Sequence, residues 1–194
     1  LLFAFAYFHD TQGRALPERS AFHVPNAWAA KLAHDHPDRF EWVASIHPYR
    51  NGAGEVLEQA IAGGARAVKW LPAAMGMDPA DPRCDAFFRV LAQHGTPLIV
   101  HCGEENAVKG GDTHALGNPL RLRRALDAGV KVVVAHCATL GSDTDDHGRT
   151  VPSFDLFLQL MGETRAKGLL HGDISAICQR NRDLAMIRRL LERE

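Results

Sequence analysis

A chain of 194 residues is long enough for one well-buried core, and nothing in it forces a second domain, so residues 1–194 are read as one domain. A net charge of −1 gives no excess of basic residues for nucleic acid or an anionic membrane surface. The four cysteines stand singly without CxxC spacing, which favours reduced thiols in the cytoplasm over a disulfide framework.

The opening LLFAFAYF is apolar but far shorter than the roughly 20 residues that a membrane span needs, and no basic region precedes it. A buried first strand over 1–7 explains it better. After a loop, Asn26 is expected to cap a helix with Trp28, Leu32 and Ala33 on one face, stopped by Pro37. FEWVASIHP (40–48) reads as a second strand ending at His47. Val56, Leu57, Ala60 and Ile61 follow at helical spacing, closed by Gly63-Gly64. ARAVKWLP (65–72) is the third strand and carries Lys69. Asp81-Pro82 opens the next helix, whose core stripe is Phe87, Phe88, Leu91 and Ala92.

PLIVH, ending at His101, is the fourth strand. A long loop over 102–117 leads to a helix capped by Asn118, burying Leu122, Ala125 and Leu126. VKVVVAH, ending at His136, is the fifth strand, and a polar loop over 138–152 follows it. Ser153 is expected to cap a helix with Phe154, Phe157, Leu158 and Met161 inward. GLLHGDIS (168–175) is the sixth strand-like run, bearing Asp173, and Asn181 is expected to cap a last helix that buries Leu184, Ile187 and Leu191.

Six strands alternating with helices predict a parallel α/β fold of the (β/α)₈ barrel type, here about six βα units. The loops after the strands are long, polar and rich in His, Asp and Glu, whereas those before the strands are short and contain Gly. That polarity places the working mouth at the C-terminal strand ends. The chain starts at Leu1 inside a strand-like run and stops at Glu194 inside a helical one. Both features predict a piece of a longer coding sequence.

His47, Lys69, His101, His136 and Asp173 stand at or near the strand ends, each in a different βα unit. Neutral imidazoles and carboxylates held on several rigid strands suit a divalent ion with one position left open for water. Zinc is the expected ion, because bound Zn²⁺ brings the water pKa to about 7. Lys69, in an apolar run, is a candidate carbamylated metal bridge, charge partner to a substrate, or Schiff-base amine. Glu104 and Glu105 follow His101 as candidate base or orienting groups. Cys102 and Cys137, each after a His, are expected to pack on the opposite side.

SIHPYR, GARAVKWLP, TPLIVHCGEE, GNPLRLRRALD, VKVVVAHCA and GDISA, in this order, resemble the amidohydrolase superfamily, in particular its branch of TIM-barrel metal-dependent hydrolases. The resemblance implies one or two divalent ions. By motif it sets Lys69 on the fourth strand of the family barrel, His101 on the fifth, His136 on the sixth and Asp173 on the seventh. The His-x-His pair of the family's first strand and the Asp of its eighth have no counterpart here, because His34-Asp35-His36 falls on a helix. Those two strands are neighbours in a closed barrel, so their loss would open one seam, expose two edges and invite homo-oligomerisation.

The resemblance implies metal ligation by His101, His136 and Lys69, catalytic roles for His136, Lys69 and Asp173, and substrate contacts from His47 and Glu104. The reaction it implies is hydrolysis of an amide, lactone or ester carbonyl of a small molecule. Non-oxidative decarboxylation, a Schiff-base lyase using Lys69 and an inactive barrel fragment are the alternatives.

Overall fold

The computed structural model describes residues 1–105, 113–183 and 185–192. The middle of the predicted 102–117 loop and the predicted core position Leu184 lie outside the described residues. Among the described residues there are eight strands: β1 (Leu2–Phe3), β2 (Trp42–Val43), β3 (Val68–Trp70), β4 (Leu98–His101), β5 (Val132–Ala135), β6 (Ser142–Thr144), β7 (Thr150–Pro152) and β8 (Leu170–Gly172). The α-helices are α1 (Asn26–Asp35), α2 (Ala53–Ala62), α3 (Pro72–Met75), α4 (Asp85–His94), α5 (Arg123–Asp127), α6 (Ser153–Met161) and α7 (Ala185–Leu191).

Strands β3, β4, β5 and β8 form a parallel sheet in that order, and β1 pairs in parallel with β2. A bridge from Ala44 to Val68 and hydrogen bonds Ala44 N to Ala67 O (2.9 Å) and Lys69 N to Ala44 O (2.7 Å) join the two sets. The result is six parallel strands in sequence order with β1 and β8 at the edges. Among the described residues these edges are not paired with each other, so the fold is a partial barrel of the (β/α)₈ type.

Register assigns the two faces. Val68, Leu98, Val132 and Leu170 are aligned, as are Trp70, Val100, Val134 and Gly172. Leu98, Val100, Val132 and Val134 are fully buried beneath the helices, where Phe87, Phe88, Leu91, Phe154, Phe157 and Leu160 supply the opposing layer. Side chains alternate along a strand, so the intervening row of Lys69, Ile99 and Val133 turns to the inner face. The pattern of apolar residues thus selects an outer core, and the only charged residue of β3 falls inside.

Several elements differ from expectation, each for a local reason. Asn26 is the first residue of α1 and not its cap, because its side chain bridges to Ser45, donating to Ser45 O (2.9 Å) and accepting from Ser45 N (2.8 Å). Trp28 is 52% exposed, and the small Ala29 and Ala33 carry the buried face of α1 instead. The predicted helix after Asn118 begins as a 3₁₀ turn over Pro119–Leu122 before α5, although Asn118 caps it as expected, accepting from Leu120 N at 2.9 Å.

The 138–152 loop contains the antiparallel hairpin β6–β7, turned by Asp145, whose carboxylate accepts from His147 N and Arg149 N. Ser153 is inside α6, its hydroxyl donating to Asp143 (3.3 Å) and not to a helix amide. The last helix spans Ala185–Leu191, with Asp183 and not the expected Asn181 accepting from Ala185 N (2.8 Å), and Leu191 is 81% exposed. No helix among the described residues is long and apolar enough to cross a membrane.

Candidate functional site

Lys69, His101 and Asp173 meet on the inner face by register. Lys69 pairs with Ile99, His101 lies two residues beyond Ile99, and Ala135 is its partner on β5. Asp173 N donates to Val134 O at 3.0 Å, which continues the β5–β8 ladder and sets Asp173 beside Ala135. The residue in register with His101 is therefore Ala135, not His136. Strict alternation would send His136 outward, as it does Cys102.

The backbone corrects that offset. His136, Cys137 and Ala138 take φ values of 56°, 50° and 51°, three consecutive left-handed residues, none of them glycine. Each such residue costs about 1–2 kcal/mol, so the run persists only where the surroundings hold it, a situation typical of functional sites. Thr139 N donates to His136 O at 3.1 Å and the Thr139 hydroxyl donates to the same oxygen at 2.7 Å, closing the turn. The kink swings the His136 ring to within 5.6 Å of the His101 ring, centre to centre, with the planes 70° apart.

Hydrogen bonds fix both tautomers. His101 Nε2 donates to Glu104 O at 3.1 Å, with the Glu105 carboxylate 3.5 Å from the same nitrogen. His136 Nδ1 lies 2.8 Å from both Ser175 O and the Ser175 hydroxyl oxygen. Carbonyl oxygens only accept, so Nε2 of His101 and Nδ1 of His136 carry the protons. In the neutral tautomers so fixed, the lone pairs belong to Nδ1 of His101 and Nε2 of His136. Burial, partly opposed by the Glu105 carboxylate, holds the His101 pKa below its ordinary value, and the burial favours the neutral ring.

Asp173 organises the second imidazole. It accepts from His136 N (3.3 Å), Ser175 N (2.8 Å) and the Ser175 hydroxyl. Burial pushes its carboxyl up, but these Ser175 and His136 contacts outweigh that and hold it below the ordinary range. Lys69 is 8% exposed; burial lowers its pKa, opposed by Asp173, Cys102 and Glu105. The two histidines and Lys69 open into a cavity of about 420 Å³ that Glu104, Glu105 and Arg182 also line. Lys69 and His136 also border an adjoining, mainly apolar trough of about 610 Å³ with Phe3, Ile99, Val133 and Asp173. That trough is the inner face left open between the two edge strands.

Glu104 meets His101 through its backbone oxygen, while its side chain stays at the exposed rim. His47 is placed elsewhere. It is fully buried, its Nε2 donates to Met75 O at 2.9 Å and its Nδ1 accepts from Tyr49 N at 3.2 Å. Its ring stacks on His9 at 4.2 Å, facing a separate cavity, so the structure does not bring His47 to the His101–His136 cavity.

Burial pushes the His47 pKa down to about 3. The folded protein then keeps His47 neutral while the unfolded chain protonates near its ordinary value of about 6.5. Stability is full above about 6.5 and is lost as pH falls from there towards 3. Urea unfolding from pH 7 to pH 4 should show this loss, and His47→Gln should flatten the pH dependence. An unchanged slope in the variant would remove His47 as its source.

Cys102 and Cys137 are 3% and 2% exposed and packed in the core, and burial pushes their thiols up to about 12 and about 11. Ser175, Thr139 and Arg182 were not singled out in the sequence. Only the Asp173-x-Ser175 spacing, which suits a carboxylate capping the turn after a strand, offered a signal.

The amidohydrolase family matches this chain over residues 3–166. Among solved structures, a protein described as a proposed 2-pyrone-4,6-dicarboxylic acid hydrolase from Pseudomonas putida shares 15% identity at a TM-score of 0.56, covering 97% of this chain and 75% of that one. A protein described as an amidohydrolase II shares 16% identity at a TM-score of 0.53, covering 85% of this chain and 58% of that one. The 5-carboxyvanillate decarboxylase LigW from Sphingomonas paucimobilis shares 14% identity at a TM-score of 0.46, with 57% of this chain and 39% of that one covered. The chain thus spans well under two thirds of the length of these last two proteins. A search of curated proteins finds no match. With the family match spanning 3–166 and the fold shared with solved amidohydrolases, the chain belongs to the amidohydrolase family.

Proposed function

We propose that the His101–His136 cavity is part of the active site of a metal-dependent hydrolase that attacks an amide, lactone or ester carbonyl of a small molecule. The observation that carries this reading is the pair of imidazoles 5.6 Å apart, each with one N–H on a backbone carbonyl and one lone pair free. Metal-binding histidines characteristically donate their second N–H to a carbonyl or carboxylate in this way.

The donor set fits an ion in part. His101 Nδ1 and His136 Nε2 would hold it, but no group of three His, Cys, Asp or Glu side chains poised around one point exists among the described residues. A zinc or similar divalent ion would supply a Lewis acid and an acidified water. The chain's own residues do the rest. Ser175 and Asp173 orient His136, Lys69 supplies a buried cation beside the histidines, and Phe3 and Val133 give the substrate an apolar wall. The four unpaired cysteines support a reducing, cytoplasmic location.

Non-oxidative decarboxylation is a second reading, favoured by Lys69, whose ammonium can hold a carboxylate against the apolar trough. Assays of esters, lactones, amides and aromatic carboxylates with added Zn²⁺ or Mn²⁺, following acid release and CO₂ release separately, distinguish the two. Chelator-sensitive acid release supports the hydrolase. Chelator-sensitive CO₂ release supports the decarboxylase, and activity indifferent to chelator on every substrate contradicts both.

A further inference from the structure

The segment after β8 grips the His136 turn at two places. Near its start, Asp173 accepts from His136 N at 3.3 Å, Ser175 O accepts from His136 Nδ1 at 2.8 Å, and the Cys137 thiol donates to Asp173 O at 3.2 Å. The chain then runs through exposed turns, with Ala176 at φ 56° and Ile177 buried. It comes back to the turn at Arg182, whose Nη1 donates to the Thr139 hydroxyl oxygen at 2.7 Å. That hydroxyl donates in turn to His136 O, also at 2.7 Å. Thr139 is 3% exposed, so little water competes for its hydroxyl.

The placement of Arg182 is otherwise unfavourable. Its Nε–H is buried without a partner, and burial lowers its pKa. Among the described residues no carboxylate pairs with it, and the Thr139 hydroxyl is the acceptor its side chain reaches. An arginine on an exposed segment keeps its hydration by staying in water, and this one gives part of it up for a single contact. That contact is charge-assisted, and a hydroxyl that accepts from a cation donates more strongly to its own acceptor. The acceptor is the carbonyl of the first of three consecutive left-handed residues, a strained run that persists only while its surroundings hold it. Arg182 thereby tightens the closure of the turn that brings the His136 ring to His101.

We propose that Arg182 is a positioning residue for His136, acting through the Thr139 hydroxyl to hold the left-handed turn and with it the direction of the His136 lone pair. The role needs no contact between Arg182 and substrate. The inference rests on the reading that His136 works in this cavity, and it adds the residue that keeps the ring aimed.

Imidazole nitrogen NMR of the whole, metal-free chain in mildly alkaline buffer reads this role without turnover. His136 should carry its proton on Nδ1, as the Ser175 carbonyl requires, and His101 on Nε2. Arg182→Met should move the His136 signals towards the mixture of tautomers that a free imidazole shows and leave those of His101 in place. Arg182→Lys, which keeps a charged donor, should restore most of the wild-type pattern. Thr139→Val should also disturb His136, and adding Arg182→Met to it should change nothing further, because the two residues form one chain of bonds. Zinc affinity by calorimetry should fall about tenfold in Arg182→Met, the low end for an outer partner of a metal-binding histidine. Circular dichroism checks that the variants are folded. Arg182→Gln, polar but too short to reach Thr139, gives the same reading should Arg182→Met not fold.

A His136 pattern unchanged in folded Arg182→Met or Arg182→Gln, or an Arg182→Met effect undiminished in the Thr139→Val background, would overturn the proposal. A failed reading of the site would show differently, as zinc binding indifferent to His136→Ala while the His136 pattern still depends on Arg182.

Discussion

Replacing Gly103 with Ala should destabilise the protein by about 3 kcal/mol, from the left-handed strain and the overpacking combined. Gly103 follows the His101-Cys102 end of β4 with φ 81°, and a Cβ added there would lie 2.2 Å from Leu140 O. Backbone cannot yield as a flexible side chain does. Gly103 N also donates to Gly117 O at 2.9 Å, and Glu104 N donates to Leu140 O at 2.9 Å, so this glycine is where the loop after β4 crosses the loop after β5. His101 ends the strand before the first of these loops and His136 opens the second. Gly148→Ala is the control, with φ 78° but nothing within 4 Å of its added Cβ, and should lose only about 1 kcal/mol. Urea unfolding of both variants checks the difference; equal losses would show that the crossing is slack.

Replacing His136 with Ala should lower turnover by at least about 10²-fold, because it removes one of the two imidazoles that would hold the metal. Ser175→Ala should lower it by about 10–100-fold, because it loses only the group that orients the ring. Combined with His136→Ala, the Ser175→Ala effect should vanish, since an orienting group has nothing left to orient. A Ser175→Ala loss that persists in the double variant would show that Ser175 acts independently of His136. Steady-state kinetics on whichever substrate class the assays identify supplies the readout.

Much of the fold was legible from pattern. The apolar runs PLIVH and VKVVVAH predicted β4 and β5, and Gly63-Gly64, Gly95 and Gly129 marked turns where Gly64, Gly95 and Gly129 adopt positive φ. The stripe of Phe87, Phe88 and Leu91 is buried as its spacing demands. Polar segments were harder to read. The hairpin β6–β7 is built from SDT and TVP, which have no alternation of apolar residues; its turn is closed by Asp145 and its Asp146 pairs with Arg123. Such distant partners leave no periodic trace.

At the site, spacing brought the right histidines to notice for an incomplete reason. The two His-Cys strand ends look equivalent in sequence but are offset by one residue in register, and a left-handed run of non-glycine residues makes up the difference. Nothing in AHCA announces positive φ, because the strain is held by Thr139, Ser175 and Asp173 across the mouth. Arg182 was silent for a similar reason, lying in an irregular segment and acting through a distant contact, its Nη1 donating to the Thr139 hydroxyl.

The most direct measurement of the central claim is a zinc titration of the purified chain beside His101→Ala and His136→Ala, followed by calorimetry and by metal analysis after dialysis against a chelator. Two imidazoles are fewer than the three protein ligands of a typical catalytic zinc site. Binding should therefore be weak, removed by the chelator, and lost in either variant. A stoichiometric ion that survives the chelator, or binding unaltered by both substitutions, would contradict the assignment of His101 and His136 as the ligands of this site.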